Sequence, residues 1–155
     1  FQRKSAIGWD KIKKNLLKYK KVSDQHNCEV SIQCSITAIN MTTIDKWWDE
    51  LLNIGIIVDL NQVIWPTGLS IDAMPIDYIH KSMLFLEEWH RAMPITDSTK
   101  YTNKIKTTKQ AIRILRRAKY SEHSNKEFIK LNNRYDKLRN EDITKLDERF
   151  KVMMK

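Results

Sequence analysis

Apolar and polar positions change period several times along this chain, and each change predicts an element. Trp9, Ile12, Leu16 and Tyr19 recur at three- and four-residue steps, one face of a helix over about 8–21. Lys11, Lys14, Lys18 and Lys21 recur in the same way on a neighbouring face. Val30, Ile32, Cys34, Ile36 and Ala38 then alternate with polar residues, the period of a half-buried strand. Next comes a helix start, with Thr42 or Thr43 as N-cap and Asp45 in the first turn. Ile44, Trp48, Leu51 and Leu52 make its buried face, and Gly55 suits its end. The apolar runs 56–58 and 63–65 predict a strand or hairpin around 59–61, closed by a turn at 65–68 with Pro66 in second place.

Beyond residue 70 the period is helical throughout. Pro75 fits the first turn of a helix reaching about Ala92, with Ile79, Met83, Leu86 and Trp89 on one face. Ala-Met-Pro-Ile occurs at 73–76 and again at 92–95, each copy placed to open a helix. Ser98 or Thr99 caps a helix to about Tyr120. Phe128, Leu131, Tyr135 and Leu138 mark another, and Leu146, Phe150 and Met153 a last one, continuous with it through a phase shift. The fold class expected is α+β, mostly helical, in a single domain over 1–155: a small N-terminal α-β-α-β head over 1–70, then a three- to four-helix basic tail over 71–155.

Charge sharpens this picture because it is sorted into blocks. Residues 1–27 carry 8 Lys/Arg against 2 Asp/Glu, residues 28–97 carry 3 against 10, and residues 98–155 carry 17 against 7. An acidic middle flanked by a basic head and tail points to an anionic partner. The strongest candidate is the helix at 98–120. There Lys106, Lys109, Arg113, Arg116 and Arg117 project within roughly 100° of one another, and residues 98–121 hold eight basic residues and no acid. Ile105, Thr108, Ile112 and Leu115 lie beside them to be buried. Such a stripe can track successive phosphates, and its arginines can fork onto them. The lysine stripe Lys11, Lys14, Lys18 and Lys21 has the same logic with point charges, suited to phosphate or to the headgroups of an anionic membrane surface. The plain alternative is a solvated helix face for the stripe at 98–120 and an ordinary packed helix for the N-terminal one. Trp47 is the candidate interface residue. Next to the core residue Trp48 it falls at the core's edge, where simple packing is the alternative.

No P-loop, GxSxG, HExxH or dinucleotide fingerprint is present, so no catalytic residue and no cofactor is assigned. His26, Cys28 and Cys34 lack a second ligand pair for zinc. Two cysteines in a chain of this size point to a reducing, intracellular location, cytoplasmic or nuclear, or to a place in a virion. The function expected is non-enzymatic binding of nucleic acid, RNA or DNA, through phosphates, with protein contacts or homo-oligomers made by the acidic middle. The strand leading into a Trp-bearing helix also resembles, over some 30 residues, the matrix proteins of negative-strand RNA viruses, although the helical tail departs from that pattern. That resemblance implies a self-associating structural or scaffold protein. An accessory subunit of a ribonucleoprotein complex fits the same surface chemistry.

Overall fold

The computed structural model describes residues 9–94, 99–145 and 147–155. Its elements run α1 (Trp9–His26), β1 (Ser31–Ile36), α2 (Ala38–Thr42), α3 (Trp48–Asn53), β2 (Ile57–Gln62), α4 (Ile76–Ala92), α5 (Thr99–Arg117), α6 (Glu122–Arg139) and α7 (Arg149–Met153). Short 3-10 turns lie at Ile44–Lys46, Thr67–Leu69, Ile71–Ala73 and Ile143–Lys145. The result is the mostly helical α+β class that the periods predict.

β1 and β2 pair in parallel, from Ser31 opposite Ile57 to Ile36 opposite Gln62. A parallel pair needs a crossover, which α2 and α3 supply. The strand expected around 59–61 therefore forms, whereas the hairpin does not. Residues 59–61 continue β2, and Val63 beyond it donates its amide to the Ile36 carbonyl.

The crossover starts earlier than expected and breaks twice. Thr37 caps α2: its side chain accepts from the Asn40 amide, while Asn40 Oδ1 accepts from the Thr37 amide at 2.9 Å. This reciprocal box sets the helix from Ala38, which thereby leaves the strand pattern. Neither expected cap acts as one. Thr42 is buried and donates back to the Ala38 carbonyl at 2.7 Å, and Thr43 makes no capping bond through its side chain. Gly55 closes α3 in the left-handed region (φ 80°), as its position suggested.

Buried apolar side chains from α2 through α7 share one core, in which Trp48, Phe128 and Phe150 are the largest members. Gly68 lets a 3-10 turn lie directly on α6, since a Cβ there would sit 2.7 Å from the Glu127 and Phe128 backbone. On α6, Ser124, Phe128 and Asn132 face inward, while Leu138 is 70% exposed. Ten residues beyond Phe128, Leu138 points about 80° away from it around the helix, so it misses the face assigned to it. Asn140 ends α6 in the left-handed conformation (φ 51°), which makes α7 a separate element rather than a continuation. Leu146 and Ser98, two of the expected markers, lie outside the described residues.

α5 completes the sheet. The Thr107 hydroxyl donates to the Val58 carbonyl and the Gln110 amide to the Leu60 carbonyl, each at 2.9 Å. The helix thus satisfies carbonyls on β2 that have no third strand among the described residues. Its exit is held by Asp72, whose carboxylate accepts from the Lys119 amide and whose carbonyl accepts from the Ser121 amide, each at 2.8 Å.

Candidate nucleic-acid interface

The face of α5 turned away from the core carries the predicted stripe. Thr107, Thr108, Ala111, Ile112 and Leu115 are buried, and Lys106, Lys109, Arg113, Arg116 and Arg117 are all exposed. Packing the apolar side against the sheet and α4 leaves the cations no other direction. Among the described residues only Arg116 of these five has an acidic partner, Glu87 of α4 at 2.8 Å. Lys104, a sixth cation of the helix, behaves differently. It is buried, with its ammonium on Asn53 Oδ1 and near the Tyr101 ring, and supports the fold.

α1 is rotated from its expected setting. Trp9 and Leu16 touch the core, but Ile12 (41%) and Tyr19 (58%) are exposed. The cause is Glu50 on α3, which accepts from the Trp9 indole at 2.8 Å and from Lys13 Nζ at 2.6 Å, drawing the Trp9–Lys13 edge inward. Those two hydrogen bonds also hold the Glu50 carboxyl below its usual range. Lys11, Lys14, Lys18 and Lys21 remain exposed, beside a strip formed by Ile12, Tyr19 and Val22. No residue of α1 is buried.

Trp47 is half-buried, edge-on to Trp48 with ring centroids 5.6 Å apart, and its indole donates to the Asn40 carbonyl at 2.9 Å. Its polar end is thus taken up inside the fold. Trp48 is fully buried, as its position implied. The tryptophan open to solvent is Trp65, 81% exposed beside Ile64 at 72%. The period of 63–65 suggested a strand instead, and only the loss of pairing after Gln62 puts these side chains outside.

Three carboxylates of the acidic middle are paired within the chain. Glu50 meets Lys13, Glu87 meets Arg116, and Asp45 meets Arg149 at 2.7 Å. Arg149 also pairs with Asp147, whose carboxyl it holds far below the usual carboxylate range, and Lys46 reinforces that effect at 2.6 Å. The head and tail blocks therefore meet the acidic block intramolecularly.

Sequence reasoning missed a cleft of about 550 Å³ between α4 and α5. Arg91 and His90 of α4 face Lys109, Arg113 and Arg116 across it. Arg91 was legible only as a lone cation in an acidic stretch, because the packing of the two helices is what brings it to the stripe. Cys28 and Cys34 are both free thiols, and burial pushes the Cys34 thiol up. Among the described residues no three His, Cys, Asp or Glu side chains gather as a metal site would need. Among the same residues no helix is long and apolar enough to cross a membrane. No family model matches the chain, and no curated protein or solved structure matches it either.

Proposed function

We propose that this protein is a non-enzymatic nucleic-acid-binding protein that grips the phosphate backbone of RNA or DNA through the exposed face of α5. The observation that carries the reading is the disposition of that helix: five cations on one open face, four of them without an acidic partner among the described residues, on an element anchored to the sheet. A rigid row of ammonium and guanidinium groups recognises charge spacing and shape rather than base edges. The α1 lysines offer a second contact for the same polyanion. Such a protein works inside the cell or within a nucleoprotein particle.

The test is a salt titration of binding to labelled mixed-sequence RNA and DNA. Affinity should fall steeply with salt, with a log–log slope of about −0.7 to −0.9 per phosphate neutralised. Changing Arg113, Arg116 and Arg117 together to Glu should abolish binding with the fold intact. Unchanged affinity in that variant rejects the proposal.

A second reading, a scaffold subunit or an accessory subunit of a ribonucleoprotein complex, is favoured by Ile64 and Trp65, which form an exposed apolar pair on the head. The lysines and the apolar strip of α1 suit an anionic membrane surface in the same scheme. Salt-sensitive self-association through the acidic block has less to draw on, because Glu50, Glu87 and Asp45 already have partners. Sedimentation at low salt and high concentration decides this: a strictly monomeric species removes the self-associating reading.

A further inference from the structure

The cleft between α4 and α5 shares Lys109, Arg113 and Arg116 with the basic stripe and sets a second wall against them. A stripe on a convex helix can touch phosphates of a passing strand from one side only. The cleft has two walls. Arg91 comes from α4, and Lys109, Arg113 and Arg116 come from α5, against one carboxylate among the described residues, that of Glu87. Its volume of about 550 Å³ falls in the range of small-ligand sites, enough for one nucleotide and too little for a duplex. Ile112, only 8% exposed, lies at its floor.

Two details show that the walls are arranged and not merely charged. Arg91 Nε donates to the Glu87 carbonyl one turn back, at 3.3 Å, which holds the side chain along its helix. Arg116 is held from across the cleft by the Glu87 carboxylate at 2.8 Å. The remaining wall residue, His90, has a buried Nε2 with no hydrogen-bond partner among the described residues. A buried ring nitrogen left unpaired is costly unless a ligand or solvent atom meets it.

We propose that this cleft holds the terminal phosphate monoester of a nucleic-acid strand; the inference rests on the nucleic-acid reading of α5. A terminal monoester carries about −1.5 to −2 charges, against one on an internal diester. It has three equivalent oxygens, so it can be met from both walls at once, by Arg91 on one side and by Lys109 and Arg113 on the other. An internal phosphate, with the chain continuing from two oxygens, offers only two free oxygens and one charge to the same donors. The monoester also competes with the Glu87 carboxylate for Arg116, so that a filled cleft loosens the α4–α5 ion pair.

The experiment compares four labelled single strands of one sequence, bearing a 5′-phosphate, a 3′-phosphate, both or neither, at fixed salt. One phosphorylated end should bind roughly tenfold tighter than its hydroxyl counterpart, the worth of about one charge-assisted hydrogen bond. Comparing the two singly phosphorylated strands identifies that end. Arg91→Gln, in the cleft but off the stripe, should erase the preference while leaving hydroxyl-ended strands bound as before. Lys106→Gln, on the stripe but outside the cleft, should weaken all four strands alike and keep the preference. Both residues are exposed, so neither change threatens the core. Equal binding of all four strands overturns the cleft proposal and leaves the α5 reading standing. Failure to bind any strand at low salt overturns both. A preference that survives Arg91→Gln places the end elsewhere and also overturns it.

Discussion

The Thr107 hydroxyl sits 2.9 Å from the Val58 carbonyl, so the helix with the basic stripe also closes the sheet. Thr107→Val keeps shape and burial but leaves a buried carbonyl without a donor. It should cost about 1–3 kcal/mol, read as a lower urea midpoint at unchanged slope. No loss of stability would mean that solvent already serves Val58.

Gly68→Ala probes the contact of its turn with α6. The added methyl meets backbone, not a flexible side-chain end, at 2.7 Å. Separation of the two elements should cost about 1–3 kcal/mol. A neutral result in thermal unfolding would show that the turn has room to shift.

Asp147 supplies an acid-sensitive part of the stability. Its side chain is 6% exposed between Arg149 and Lys46, which keep it charged well below its ordinary pKa. Where the folded pKa is depressed, the stabilisation is whole above the unfolded value of about 3.9 and falls as pH drops toward the folded one. Asp147→Asn should therefore lower stability by a constant amount from pH 7 down to about pH 4, with the gap narrowing below that. A gap that stays constant down to pH 2 would remove Asp147 as the titrating group.

Glu50→Ala should release α1 without unfolding the rest, because the carboxylate binds both Trp9 and Lys13 while α1 buries no residue. Amide exchange should speed up over the first turns of α1, with little change in the global unfolding midpoint. Coincident loss of both would show α1 to be part of the cooperative core.

The long helices α4 and α5 were the legible ones. Each holds a 3.6-residue period over 17 residues or more, and the period alone orients its face. On α5 the stripe was readable for that reason: the residues between the cations are those that pack. Short elements depended on choices that a period cannot express. The Thr37–Asn40 box outcompeted Thr42 and Thr43 as the helix start. The parallel partner of β1 lies 26 residues downstream, at a distance where alternation says nothing of pairing. The setting of α1 followed from Glu50, 37 positions beyond Lys13. The cleft was invisible because its cations come from two helices whose approach is tertiary.

The closure of β2 by Thr107 and Gln110 also bears on the order in which the molecule assembles. The two strands can find each other through their local crossover, but the Val58 and Leu60 carbonyls wait for a helix about 50 residues away. Loop closure over that span comes late, so the sheet and the charged face mature in one event. A nascent chain that has emerged only as far as β2 offers no ordered row of α5 cations to a polyanion. Pulse-labelling of amides during refolding should accordingly find α5 gaining protection together with β2, and protection of α5 well before β2 would refute the coupling.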